Sequence, residues 1–190
     1  MGLFGNKTET DAISLLKEDH EQVKELFERF EEADDRRTKQ QIVSQALKAL
    51  KVHTQIEEEI FYPAIRKADA DDEEIDDLMD EALQEHHVAK ILISELEDMN
   101  PGDKYYDAKF TVLAESVKHH IEEEESDIFP KVEDDADWEK IGGRMKERKQ
   151  DLLAGGGRSA NGRSKGERHT AQGKRAATKT GHLKAVAKRK

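Results

Sequence analysis

Apolar residues recur every third or fourth position along four long stretches of this chain. In about residues 10–33, Ile13, Leu16, His20, Val23, Phe27 and Phe30 fall on one stripe of a helix. Thr10 is its expected N-cap, and Asp34-Asp35 the expected break. A second helix is predicted over about residues 36–68, with the stripe Ile42, Ala46, Ala49, His53, Glu57, Ile60 and Ala64. Pro63 is expected to kink it near its C-terminal end. The third stretch follows the acidic run 69–74 and stops before Pro101-Gly102; its stripe is Ile75, Met79, Ala82, His86, Ala89, Ile93 and Leu96. The fourth starts near Asp103, its expected cap, and carries Phe110, Leu113, Val117, His120 and Glu124, with Pro130 in the part of Pro63. A shorter helix is predicted from about Asp137 through Trp138, Ile141, Met145 and Leu152, against the weakening effect of Gly142-Gly143.

Four long amphipathic helices with short connections predict an all-α protein, an antiparallel up-down-up-down four-helix bundle with a short fifth helix. The halves read as duplicated. His53 and His120 are 67 residues apart, and His20 and His86 are 66 apart, as expected of two helical hairpins related by a pseudo-twofold axis. The chain divides into an N-terminal extension (1–11), the bundle (12–153) and a tail (154–190).

Charge sharpens the last boundary. The net charge of -11 conceals eleven Lys/Arg and one acidic residue from Gly155 onward, against 21 basic and 42 acidic residues before it. The body is strongly acidic and the tail strongly basic. After Gly155-Gly156-Gly157 the tail holds only two large aliphatic residues, Leu183 and Val186, too few to offset the entropy of ordering, so it reads as disordered. Its Lys and Arg alternate with small residues and no aromatics. That disfavours base-stacking recognition of single strands and leaves three uses open: non-specific phosphate contact, solubilisation, or contact with the acidic body. No run approaches 18 apolar residues, so no membrane span is predicted. The absence of cysteine excludes disulfides and thiolate chemistry, and no apolar signal segment follows the N-terminus; the cytoplasm is the expected compartment.

Each stripe carries a histidine where a leucine belongs: His20, His53, His86 and His120. Two stripes add a carboxylate at i+4, in His53-x-x-x-Glu57 and His120-x-x-x-Glu124, which places imidazole and carboxylate one turn apart on one face. One such histidine reads as an ordinary hydrogen-bonded core residue. Two carboxylates buried face to face are costly unless a metal pair offsets them, and imidazoles with carboxylates suit iron, manganese or zinc. His87 and His119 fall in step with polar positions and are assigned to the surface, although a 67-residue offset from His20 would favour His87 over His86. Glu58 and Glu125 lie beside the ligand candidates. They read either as partners that orient imidazole N–H groups or as a solvated acidic face.

These residues resemble the hemerythrin-like, or HHE cation-binding, domain. The resemblance runs through Asp19-His20, His53-x-x-x-Glu57 ending in Phe61-Tyr62-Pro63, Glu85-His86, and His120-x-x-x-Glu124 ending in Phe129-Pro130. It implies a bundle around a non-heme, oxygen-reactive di-iron centre, with His20 and His53 on one iron, His86 and His120 on the other, and Glu57 and Glu124 bridging. Oxygen-carrying hemerythrins use five histidines, including a His-x-x-x-His pair on the third helix. Here Lys90 stands four residues after His86, and the fourth helix has Glu124 at i+4 rather than an Asp one residue later. The expected role is therefore sensing, storage or detoxification with oxygen, small oxidants or iron, not reversible oxygen carriage. A nucleophile triad, phosphate loop or dedicated acid–base pair is not visible, so enzyme activity is not asserted. The rival reading is a helical interaction module with a structural metal and a tail that binds nucleic acid.

Overall fold

The computed structural model describes residues 11–68, 72–132 and 136–155. Thr10 and the basic tail from Gly156 onward lie outside these, as does the expectation that the tail is disordered. Helix α1 (Ala12–Glu32) and α2 (Arg36–Ile56) form one hairpin, and α4 (Glu73–Glu97) and α5 (Tyr106–Glu123) the other. Each hairpin pairs closely within itself, and α2 against α4 and α1 against α5 close the ring. The expected antiparallel four-helix bundle is thus the observed one. Helix α7 (Trp138–Leu153) is the fifth helix and lies across α1 and α2.

Side chains set the boundaries, and some differ from expectation. Asp11 caps α1, accepting the Ser14 backbone N–H at 2.9 Å and the Ser14 hydroxyl at 2.7 Å. Asp72 caps α4 by accepting from Glu74 and Ile75, so Glu73 and Glu74 belong to the helix, at the positive end of its dipole, rather than to the run before it. Asp103 does not cap α5. Its side chain accepts the Asn100 backbone N–H at 2.7 Å and closes the Pro101-Gly102 turn, so the helix begins three residues later, after Tyr105 in the left-handed region (φ 74°).

Both proline-terminated helices contain the same irregularity. After α2 the chain runs through a π-helical turn, Glu57–Phe61, into α3 (Tyr62–Ala68). After α5 it runs through Glu124–Ile128 into α6 (Phe129–Val132). The Tyr62 N–H reaches back to the Glu57 carbonyl and the Phe129 N–H to the Glu124 carbonyl, five residues in each case. Pro63 and Pro130 lack an N–H and would press on the carbonyl four residues earlier. The widened turn ahead of each takes up the mismatch, and the helix continues beyond Pro63 to Ala68. One extra residue in the turn slips the buried stripe by one: Ile65 is fully buried and Ala64, the expected position, only half-buried.

The core has two apolar clusters. One surrounds Leu16, Phe61, Ile65, Met79, Phe129 and Met145; the other surrounds Phe27, Phe30, Leu50, Ile93, Phe110 and Leu113. Between them lies a layer of buried polar groups. Helix α7 closes over the first cluster through Trp138, Ile141 and Met145, and the Trp138 indole N–H donates to the Val132 carbonyl at 2.8 Å.

Candidate metal centre

The polar layer is built from the six side chains singled out by the sequence, with Asp19 and Thr54 also buried beside them. His20 is 1% exposed, His53 5%, His86 2% and His120 5%, while Glu57 and Glu124 are fully buried. α1, α2, α4 and α5 supply one imidazole each, and the two glutamates stand at the first residue of the two π turns. His87 and His119 are exposed, so the stripe register, rather than the 67-residue offset, is the one the fold adopts.

His86 Nε2 and His120 Nε2 lie 3.1 Å apart, and most of the other inward ligand atoms converge without a hydrogen bond. His53 Nε2 lies 3.1 Å from Glu57 Oε1, and His86 Nε2 3.4 Å from Glu57 Oε2. Glu57 thus presents one oxygen to each half. Glu124 Oε2 lies 3.2 Å from His20 Nε2 and 3.6 Å from His120 Nε2. His20 Nε2, both ring nitrogens of His53, both oxygens of Glu57 and Glu124 Oε2 are buried with no hydrogen-bond partner among the described residues. Orphaned polar atoms are expensive in a protein interior. Two fully buried groups of side chains place ligand atoms within 4.8 Å of one another: His20, His53, Glu57 and Glu124 in one, Glu57, His86 and His120 in the other. Glu57 belongs to both. This donor set of neutral imidazoles and shared carboxylates fits a pair of divalent or trivalent cations.

An outer ring of carboxylates orients the imidazoles. The Nδ1 of His20 lies 2.8 Å from Glu125, that of His86 3.0 Å from Glu58, and that of His120 2.7 Å from Glu85. An ionised carboxylate only accepts, so in these three rings Nδ1 carries the hydrogen and Nε2 faces the centre. His53 has Asp19 at 3.7 Å from its Nδ1, an ion pair too long for a hydrogen bond. The pattern is pseudo-symmetric: the residue before the histidine of α1 and of α4 (Asp19, Glu85) lies beside the ring of the next long helix, and the residue after each buried glutamate (Glu58, Glu125) serves a ring of the other hairpin. Glu58 and Glu125 thus each lie within hydrogen-bond distance of an inward-facing ring. Asp19 and Glu85 were missed as orienting groups, although their position directly before His20 and His86 was the available signal.

Tyr62 was missed too, and it breaks the symmetry. Its hydroxyl donates to Glu124 Oε1 at 2.9 Å, and its ring stacks on His86. The equivalent Phe129 stacks on His20 and has no hydroxyl to offer. Glu124 is thereby left with one free oxygen and Glu57 with two.

Electrostatics agree with a site built for cations. Burial alone would lower the pKa of His53, but the charge of Glu57, with Asp19 and Glu124, pushes it up to about 10. His86 is pushed up to about 9 by Glu57, Glu58 and Glu124 against the same desolvation. Burial raises the Glu57 carboxyl, yet His53 and His86 hold it well below the usual range. A small cavity of about 20 Å³ adjoins the layer. All four imidazoles line it, together with Val23, Leu50, Ala89, Val117 and Ile121.

The fold and this buried layer define a helical-bundle protein with a cation-binding centre of histidine and glutamate. Residues 11–132 match the Hemerythrin HHE cation binding domain, and the chain belongs to that family. A solved relative in fold is a hemerythrin HHE cation binding domain-containing protein from Mycobacterium kansasii. It superposes with a TM-score of 0.64 at 23% identity, covering 76% of this chain and 88% of that one. A DNA nickase from Nostoc is 26% identical over 129 residues, 67% of this chain. The match spans 35% of that relative, about a third of its length. Among the described residues no helix is long and apolar enough to cross a membrane.

Proposed function

We propose that the chain is a non-heme di-iron protein that responds to oxygen or small oxidants. The apolar-walled cavity against four imidazoles carries this reading. At about 20 Å³ it has room for one water-sized species against the imidazoles, as a centre with an open coordination position requires. In this reading His20 and His53 hold one iron and His86 and His120 the other. Glu57 and Glu124 would be shared between the two, with one Glu124 oxygen already engaged by the Tyr62 hydroxyl. Bound iron would supply reversible one-electron chemistry. The chain's own residues do the rest. Glu58, Glu85 and Glu125 keep three imidazoles aimed inward, Asp19 places a charge beside the fourth, the two apolar clusters exclude bulk water, and the Tyr62 hydroxyl holds a proton against Glu124. Manganese or zinc would fit the same donors. The redox reading is tested by giving the reduced, iron-loaded protein oxygen or peroxide under spectroscopic observation. A near-ultraviolet band should rise as the oxidant is consumed. A loaded protein whose spectrum and oxidant level stay unchanged would contradict it.

Replacing His86 by alanine should lower metal content and remove that band, and replacing His87 should preserve both. The imidazole of His86 faces the centre, and that of His87 stands in solvent.

A second reading rests on the DNA nickase relative. In it the metal centre is structural and the basic tail engages nucleic acid. It calls for duplex binding that weakens steeply with salt and is lost on truncation after Ala154.

A further inference from the structure

The pseudo-twofold axis relates the two hairpins residue by residue, and it exposes a difference on their outer faces. Asp19, Val52 and Ile56 of the first hairpin correspond to Glu85, His119 and Glu123 of the second. In the first hairpin α7 covers this region: Lys149 pairs with Asp19, and Val52 and Ile56 are buried. In the second, Glu85 has no lysine or arginine partner among the described residues. It meets His119 and Glu123 instead, and the His119 side chain is 63% exposed.

We propose that Glu85, His119 and Glu123 form an outer site for a divalent cation of the zinc or ferrous class, distinct from the buried layer. His119 Nε2 lies 3.3 Å from Glu123 Oε1, one helical turn on, and 3.9 Å from Glu85 Oε1, which α4 brings across. The three ligand atoms all lie within 4.8 Å of one another. Bonds of about 2.0–2.2 Å to a tetrahedral cation would set neighbouring ligand atoms roughly 3.3–3.6 Å apart, so small side-chain adjustments complete the site. The remaining positions face water, as in a site that exchanges its ion. Glu85 joins this site to the interior, because its other oxygen, Oε2, holds the Nδ1 of His120. An ion here would thus sit one carboxylate away from a ligand of the buried centre. The proposal rests on the α4–α5 geometry and takes from the di-iron reading only that His120 faces the centre.

The test uses the full-length protein with its resident metal in place, dialysed against micromolar Zn²⁺, with resident metal and zinc counted separately by elemental analysis. Wild type should take up one zinc per chain beyond its resident complement, with no loss of the latter. The variants His119→Ala and Glu123→Gln should lose that zinc and keep the resident metal and the helicity. Equal zinc uptake in wild type and both variants, or no uptake by wild type, would overturn the outer site. A protein isolated without resident metal that still binds one zinc, sensitive to His119→Ala, would support the outer site while counting against the buried centre.

Discussion

Glu57→Ala is expected to empty the centre of both metals, whereas Glu124→Ala is expected to cost one. Glu57 is the residue common to both ligand groups, and it offers a separate oxygen to His53 and to His86. Glu124 commits one oxygen to Tyr62 and has one left for the centre. The metal-free fold should feel the difference as well. Glu57 is fully buried and balances two imidazoles whose pKa values it raises. Removing one partner of such a buried pair costs about 3–5 kcal/mol. Metal content by elemental analysis and denaturant unfolding of both variants read the two effects. Equal metal loss in the two variants would show that Glu57 and Glu124 are interchangeable and that the Tyr62 contact is without consequence.

Removing the metal should make stability strongly dependent on pH on the alkaline side. In the metal-free centre His53 and His86 are raised from an ordinary 6.5 to about 10 and about 9, first against burial and then chiefly through Glu57. A raised folded-state pKa stabilises most below the unfolded value, near pH 6.5. That contribution falls away as pH climbs through 9 and 10. The Glu57 carboxyl is depressed by the same contacts, so its contribution is present above the ordinary carboxylate range and lost in acid. It is the same attraction seen from its other end and adds no second increment. Chelated protein should therefore melt several degrees lower at pH 9.5 than at pH 6.5. Protein with metal in place holds these imidazoles neutral as ligands and should change far less over that span. Parallel melting curves for the two forms across the range would contradict a metal on His53 and His86.

Much of this architecture was legible because a helix repeats its buried face every 3.6 residues. His20, His53, His86 and His120 kept step with leucines and isoleucines, and that periodicity separated them from His87 and His119, even where a 67-residue offset from His20 pointed to His87. Helix ends were less legible. Asp103 has the chemistry of a cap, but the Pro101-Gly102 turn claims its side chain, and local sequence does not reveal which competitor wins. The π turns were legible only as prolines. Their extra residue shifts the stripe from Ala64 to Ile65, a change that a fixed period cannot anticipate. The orienting groups were half legible. Glu58 and Glu125 stood beside predicted ligands, but Asp19 and Glu85 act on the ring of the neighbouring helix rather than their own, a relation set by packing. Tyr62 read as part of an aromatic-Pro motif. Its bond to Glu124 crosses from one hairpin to the other and has no counterpart at Phe129.

The buried layer is proposed to hold a pair of irons. Elemental analysis of full-length protein purified aerobically from iron-replete cells, read together with its near-ultraviolet and visible spectrum, tests it most directly. About two irons per chain and a near-ultraviolet absorption of a bridged ferric pair are the expected result, while one zinc per chain with no iron would contradict it.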